Sequence, residues 1–319
     1  MHVGFIGLGN VGAKLAGSVA RSGLRLTVRD LDERAAAPLL ERGAIFGESP
    51  RAMARDCDVV VTCLPSPAAS AAVLEAEDGL LAGLTPGTVW AEMSTTDEAE
   101  VRRLGALVEA RGAGAIDCPV SGGCHRAASG NISIFAGGER ETFERVLPLL
   151  RVLGRRVLHT GPLGSASVLK VVTNYLATAN LLTLCEALTV CGAAGADLGT
   201  AYEAIRMSSG NSFVHETESQ VILNGSRDID FTLDLVAKDI GLFQAVADRA
   251  GVPLEINPLL IDIVRDGIAR HGARANSPGI VRRLEAAGGV GVLADGFPTA
   301  MVDDEPEAAG HEVVPRGRA

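Results

Sequence analysis

The chain has 319 residues, of which 47% are hydrophobic, 21% charged and 3% aromatic, with a formal net charge of −10 at pH 7. That length favours about two domains, and the apolar share is ample for a large core. The acidic balance excludes non-specific nucleic-acid binding, which needs a basic surface, while leaving room for a locally positive pocket.

In chain order, HVGFI at residues 2–6 reads as a strand, and GLGNVG at 7–12 follows it and opens the helical pattern NVGAKLAGSVARS. The first residues lack a basic n-region and their apolar run is broken by glycines and Asn10, so no secretory signal is expected there. Further strand-like runs are LRLTVR (24–29), DVVVTCL (58–64), TVWAEM (88–93), AIDCPV (115–120), ISIFAG (132–137) and RRVLH (155–159). Helical patterns fill most of the gaps between them. This alternation predicts an α/β domain over residues 1–162, a dinucleotide-binding, Rossmann-type parallel sheet covered by helices on both faces.

The pattern changes after GPLGSAS at 161–167. Helices are expected at 165–195, 200–207, 211–223, 234–250, 255–271 and 278–287, with Asp or Ser near several starts and Gly195 or Gly251 near ends. Residues 163–289 therefore read as an all-α domain for substrate binding and oligomerisation, joined to the first by a long helix from about residue 165. Its apolar stretch 168–196 is broken by Lys170, Asn174, Asn180 and Glu186, so a buried helix is expected in place of a membrane span. Residues 290–319 gain glycine, proline and acidic residues and read as a flexible C-terminal tail.

The six cysteines, Cys57, Cys63, Cys118, Cys124, Cys185 and Cys191, show neither CxxC nor zinc-finger spacing. Several lie in apolar runs, where a cysteine behaves as a small buried hydrophobe. A reducing, cytoplasmic compartment and no bound metal are expected.

GLGNVG matches GxGxxG, a weak signal alone that gains weight from the strand before it and the helix after it. Gly7 would allow the tight turn, Gly9 the approach of a pyrophosphate, and Gly12 close packing of helix on strand, with Leu8, Asn10 and Val11 completing the cofactor loop. The helix N-terminus would present its N–H groups to the phosphates. Asp30, at the end of the second strand, suits the adenosine ribose hydroxyls and would repel a 2′-phosphate, which argues for NAD over NADP. The other reading of Asp30 is a cap for the following helix.

Five later stretches decide the reaction class: CLP at 63–65, EMST at 92–95, DCPVSGG at 117–123, GPLGSASVLKVVTN at 161–174 and KD at 238–239. In this order and spacing the chain resembles the β-hydroxyacid dehydrogenase family, whose type members are the 3-hydroxyisobutyrate dehydrogenases and which is also similar to 6-phosphogluconate dehydrogenase. The resemblance runs from about residue 1 to 287. It implies a homodimer or homotetramer and a small hydroxy-acid substrate, while the acidic balance and the interrupted apolar stretch argue against a nucleic-acid or membrane partner.

Residue by residue, the resemblance places Leu64 and Pro65 beside the adenosine side of the cofactor and Thr95 near the nicotinamide. It makes Ser121, Gly122 and Gly123 the loop for the substrate carboxylate, Lys170 the catalytic lysine, Asn174 a substrate-binding asparagine, and Lys238 a lysine that closes over the cofactor. These assignments suit the residues. The serine and two glycines offer a hydroxyl and unobstructed N–H donors. Lys170 and Asn174, at i and i+4, face one side of a helix. An apolar setting disfavours the charged form of a lysine, which would let Lys170 take a hydroxyl proton as hydride leaves carbon. A snorkelling lysine at 170, and a solvated Lys238–Asp239 pair, are the plainer alternatives.

After the two glycines the chain departs from the family, reading CHRAASGN where members commonly have small residues at His125 and Arg126. A basic residue near Arg126 is a point of similarity to the threonate dehydrogenases, and a substrate-binding cation there would favour a longer or more polar acid. Arg126 pointing to solvent is the alternative, and His125 reads as a second proton group or a surface residue. Ala166 stands where the family has a glycine. The imine reductases share the fold but usually lack the lysine, so Lys170 favours alcohol chemistry. The resulting expectation is an NAD-dependent dehydrogenase of a β-hydroxy acid such as 3-hydroxyisobutyrate or threonate. A tartronate-semialdehyde-like reductase and a non-catalytic cofactor-sensing protein are the alternatives.

Overall fold

Period-two alternation makes the short apolar runs into a sheet buried on both faces. In β1 (His2–Ile6) Val3 and Phe5 join one core and Ile6 another. The strands β2 (Arg25–Arg29) and β3 (Ile45–Phe46) follow. In β4 (Val59–Thr62) the outer valines, Val59 and Val61, face the first core and Val60 the second; in β5 (Val89–Glu92) Val89 and Ala91 oppose Trp90. Trp90 is fully buried and donates Nε1–H to Thr62 Oγ1 at 2.9 Å. The remaining strands are β6 (Gly114–Asp117), β7 (Val120–Ser121), β8 (Ser133–Gly137), β9 (Arg156–Gly161) and β10 (His311–Val313).

The computed structural model describes residues 1–306 and 308–317. These divide into one unit of Met1–Lys170 with the residues from Asp303 onward, and a second of Val171–Val302. The first unit holds α1 (Gly12–Arg21), α2 (Ala37–Leu40), α3 (Pro50–Asp56), α4 (Pro67–Glu75), α5 (Glu98–Glu109), α6 (Gly123–Ser129) and α7 (Arg140–Leu153). Leu15, Ala16 and Val19 of α1 and Phe143, Val146 and Leu150 of α7 cover one face of the sheet. Met53 of α3, Leu74 of α4 and Leu104 and Val108 of α5 cover the other.

The strand order is β10-β9-β8-β6-β5-β4-β1-β2-β3, with β7 paired to β8. From β1 to β6 neighbouring strands are parallel, as the alternation predicts. Beyond β6 the direction reverses: β8 is antiparallel to β6 and β7, and β9 and β10 run with β8. The stretch 118–132 contains β7, which pairs back onto β8, so it reverses the chain where a full crossover helix would have kept it parallel.

The second unit is helical. Helix α8 (Ser165–Ala193) begins in the first unit and continues into the second, which also holds α9 (Leu198–Arg206), α10 (Phe213–Asn224), α11 (Leu233–Ala250), α12 (Asn257–His271) and α13 (Arg282–Gly288). The expected caps are present in part: Asp197 and Ser212 accept from N–H groups of α9 and α10, and Gly251 closes α11 in the left-handed region. Leu181, Cys185 and Leu188 of α8 pack in the core with Val236 and Ile240 of α11 and Val264 of α12. Helix α8 is long and apolar enough to cross a membrane by length and composition; its Leu176 and Val190 are exposed.

In residues 290–319, expected to be a flexible tail, several of the described residues make specific contacts. Val292 is fully buried, Ala294 donates to the Leu223 carbonyl at 2.9 Å, and Phe297 meets Tyr202 edge-on. In the first unit β10 adds a strand beside β9, and Arg140 binds Glu312. Asp303, Glu305 and Glu312, acidic residues that suggest disorder by composition, face arginines distant in sequence, which local composition does not register.

Candidate active site

The parallel strands end in register. Arg29 of β2 pairs with Ile6 of β1, Ile6 with Thr62 of β4, Thr62 with Glu92 of β5, and Glu92 with Asp117 of β6. Asp30, the glycine loop, Leu64–Pro65, Thr95 and Ser121–Gly123 therefore follow strands that end along one edge of the sheet. The carboxyl ends of parallel strands are where open α/β sheets bind ligands.

The glycine loop passes a geometric test. A Cβ on Gly7, whose φ is +97°, would collide with the Cys63 carbonyl oxygen, and one on Gly12 with that of Gly7; a Cβ on Gly9 would meet nothing within 4 Å. Gly7 and Gly12 thus let the turn close against β4 and α1, while exposed Gly9 leaves open space before the helix. The N-cap residue Val11 makes no side-chain cap, and the N-terminal dipole and backbone donors of α1 suit a pyrophosphate. The residues present fit a dinucleotide. Exposed Asn10 and half-buried Val11 carry the chain into α1, and buried Leu8 anchors the loop.

Asp30 ties β2 to that loop. Its Oδ2 accepts from the Leu8 N–H at 2.6 Å and its Oδ1 from the Asp32 N–H at 2.9 Å. The neighbouring cations are engaged elsewhere. Arg29 donates to the carbonyls of Gly47 and Glu48 at 2.7 and 2.8 Å, and Arg34 donates to both carboxylate oxygens of Asp32. Across the edge, the Leu64 N–H donates to Ser94 Oγ at 2.8 Å, and the Ser94 N–H to Glu92 Oε1 at 2.8 Å. Glu92 is fully buried, and burial pushes its carboxyl up from the usual range. This chain fixes the Leu64–Pro65 loop relative to half-buried Thr95.

Ser121 ends β7, paired with Ser133 of β8. Gly122 and Gly123 follow at φ +128° and +88°, a region that side chains other than glycine rarely adopt, and they open α6. Helix α6 is held to α1 by Arg21, whose Nη2 donates to the Ala128 carbonyl at 2.8 Å. Arg126 faces two carboxylates of the C-terminal segment, with Nε 3.7 Å from Asp303 Oδ1 and Nη2 3.8 Å from Glu305 Oε2. Burial lowers the pKa of His125, Arg126 lowers it further, and Asp303 opposes them.

Lys170 is buried, 8% exposed, in the second turn of α8. The start of that helix is pinned by Asp117, a fully buried carboxylate at the end of β6. Asp117 Oδ1 accepts from the Gly164 N–H at 2.8 Å, and Oδ2 accepts from the Ser167 N–H and hydroxyl at 2.7 and 2.8 Å. Burial raises its pKa and these hydrogen bonds oppose the rise. One turn beyond Lys170, Asn174 donates Nδ2–H to Asp239 Oδ2 at 2.5 Å, and Asp239 Oδ1 lies 2.7 Å from Lys238 Nζ. Asp239 is 2% exposed, so the pair is not a solvated one. Tyr175 stacks on Phe243 at 4.2 Å, which sets the register of α8 on α11.

Asp117 holds the start of the helix that carries Lys170 and Asp239 holds Asn174, contacts that the motifs DCPVSGG and KD do not reveal. Each contacts residues far along the chain, and the only sequence signal is a carboxylate where the local pattern calls for an apolar residue. Among the described residues no group of three or more His, Cys, Asp or Glu is arranged to hold a metal ion.

Residues 2–161 match the family model described as the NAD binding domain of 6-phosphogluconate dehydrogenase, and residues 164–284 that described as the NAD-binding of NADP-dependent 3-hydroxyisobutyrate dehydrogenase. The chain is 30% identical over 293 residues to 2-(hydroxymethyl)glutarate dehydrogenase of Eubacterium barkeri, covering 92% of this chain and 97% of that one. It is 34% identical over 271 residues to an NAD-dependent L-serine dehydrogenase of Pseudomonas aeruginosa, covering 83% and 91%. Its structure is similar to a 3-hydroxyisobutyrate dehydrogenase from Salmonella typhimurium, with a TM-score of 0.81 and 27% identity over 89% of this chain and 99% of that one.

Proposed function

The chain belongs to the β-hydroxyacid dehydrogenase family and is an NAD(P)-dependent oxidoreductase of small hydroxy acids; from that premise we propose that it oxidises the hydroxyl of a β-hydroxy acid, with Lys170 as acid/base and NAD as the preferred cofactor. The observation that carries this reading is the buried Lys170 on a helix whose start is pinned by Asp117, one turn before an Asn174 held by Asp239. The acids named for the similar proteins, 2-(hydroxymethyl)glutarate, L-serine and 3-hydroxyisobutyrate, share a hydroxyl on the carbon β to a carboxylate.

In this reading the substrate carboxylate takes the Ser121 hydroxyl and the N–H groups of Gly122 and Gly123. Asn174, its amide oriented by Asp239, donates to the substrate. Lys170 Nζ accepts the hydroxyl proton in oxidation and returns it in reduction. The bound nicotinamide supplies the hydride acceptor. Gly7–Gly12 and the N-terminus of α1 take the pyrophosphate, Leu64, Pro65 and Thr95 flank the dinucleotide, and Lys238 meets its charge. Asp30 takes the ribose hydroxyls, and the preference for NAD is supported by that carboxylate and by the engagement of Arg29 with the Gly47 and Glu48 carbonyls and of Arg34 with Asp32.

The exposed Leu176 and Val190 on α8 support burial of that helix in a homodimer or homotetramer. Among the described residues the six cysteines form no disulfide, which fits a cytoplasmic setting. The test is NAD⁺ and NADP⁺ reduction over 3-hydroxyisobutyrate, serine, glycerate, threonate, 3-hydroxypropionate and 2-(hydroxymethyl)glutarate. Turnover of at least one acid, faster with NAD⁺, is expected. No turnover of any acid, with NADH still bound, would overturn the reading in favour of a binding protein.

A further inference from the structure

The chain returns to its first unit at Asp303, and the returning segment lands on α6, the helix opened by the loop assigned to the substrate carboxylate. The Arg126 side chain lies over that loop: its Cδ would be 3.2 Å from a Cβ on Gly122. Beyond Gly122 the guanidinium faces Asp303 and Glu305 at 3.7 and 3.8 Å. At these distances the two carboxylates compensate the charge of the guanidinium.

The two carboxylates are themselves firmly placed. Asp303 Oδ2 accepts from the Ser129 hydroxyl and from Asn131 Nδ2, the latter at 2.7 Å, and fully buried Asn131 also donates to the Glu305 carbonyl at 2.6 Å. Glu305 Oε1 accepts from Arg156 Nη2 at 2.9 Å. Further on, β10 pairs with β9 from His311 to Val313 and secures the segment. The Asp303 side chain is 5% exposed, against 25% for Arg126.

We propose that Asp303 and Glu305 set the charge class of the substrate, by holding Arg126 compensated over Gly122 so that the site takes hydroxy acids with one anionic group and disfavours those with two. A substrate's first carboxylate is met by Ser121, Gly122 and Gly123. A second anionic group that reached Arg126 would compete with two carboxylates already beside it and be repelled by them. Removing those charges without changing side-chain shape takes from Arg126 the two carboxylates that face it at the rim of the same loop. The inference rests on the assignment of that loop to the substrate carboxylate.

The experiment compares 2-(hydroxymethyl)glutarate, a dicarboxylate, with 3-hydroxyisobutyrate, a monocarboxylate. It uses the wild type, Asp303→Asn with Glu305→Gln, and the same pair combined with Arg126→Gln. Turnover is measured with NAD⁺, and binding of each acid by calorimetry with NADH present. The double variant should raise the dicarboxylate-to-monocarboxylate ratio of kcat/KM by about tenfold, the order expected of two partly exposed ion pairs. The rise should come through KM, shrink with added salt, and vanish when Arg126→Gln is included. A merely structural clamp would alter kcat and Tm for both acids alike, so a ratio that stays within about twofold overturns the inference. If no acid is turned over the functional reading fails, and the calorimetric ratio then decides: a rise upholds charge selection, while an unchanged ratio or no binding overturns it.

Discussion

Replacing Asp117 with asparagine tests how the helix that carries Lys170 is placed. The carboxylate accepts three hydrogen bonds at the N-terminus of α8, two from Gly164 and Ser167 N–H groups and one from the Ser167 hydroxyl. An asparagine keeps one carbonyl acceptor and turns an NH2 group toward the other N–H. One buried backbone donor is then left unpaired, at about 1–3 kcal/mol, and the favourable anion at the helix N-terminus, about 0.3–1 kcal/mol, is lost. Relief from burying a charge offsets part of this, since burial raises the Asp117 pKa. The net expectation is about 2 kcal/mol, a fall in Tm of roughly 4–8 °C. Lys170 lies within a turn of the released end, and a displacement near 1 Å costs on the order of 100-fold in rate, so kcat should fall by about 10–100-fold while NADH binding is kept. Calorimetry, steady-state kinetics and NADH fluorescence titration measure the three quantities. An Asp117→Asn enzyme with wild-type Tm and kcat would refute the reasoning.

Asp30→Ala should raise KM for NAD⁺ by about 10–100-fold, the loss of charge-assisted hydrogen bonds to the ribose, and narrow the preference over NADP⁺; kinetics with both cofactors measure it, and an unchanged preference contradicts the role of Asp30. Gly122→Ala combines a strained φ with a Cβ close to Arg126 Cδ, and should raise KM for the acid by about tenfold or more while NADH titration stays near wild type. Burial pushes the Glu218 carboxyl up to about 8, and its Oε2 has no hydrogen-bond partner among the described residues. A raised acid holds its proton more tightly when folded, so its contribution to stability is complete below the ordinary 4.5 and lost as pH rises through about 8. Glu218→Gln should therefore be more stable than wild type at high pH, with the gap closing on acidification; parallel Tm–pH curves would contradict this.

The glycine loop, its flanking strand and helix, and most helices of the second unit are legible in the sequence because each is set by neighbours a few residues away. β3 and β7 escape notice because two residues, Ile45–Phe46 or Val120–Ser121, carry no period. The reversed direction of β8 escapes because ISIFAG reads the same in either orientation. Lys170, Asn174 and Lys238 stand out as polar residues in helical stretches, yet what orients them does not. Asp117 reaches Ser167, Asn174 reaches Asp239, and Arg126 reaches Asp303 only once the chain is folded. The described part of the 290–319 segment carries the same kind of long-range pairing, Glu305 with Arg156 and Glu312 with Arg140, which a composition rich in acids and glycine conceals.

The most direct test of the central claim is Lys170→Met, assayed on the best acid in both directions beside an NADH titration. Loss of the proton-transfer group predicts a kcat lower by about 10²–10⁴-fold, in oxidation and in reduction alike, with NADH affinity within about twofold of wild type. A Lys170→Met enzyme that keeps kcat within about tenfold while binding NADH normally would show that the proton moves through another group, and would contradict the account.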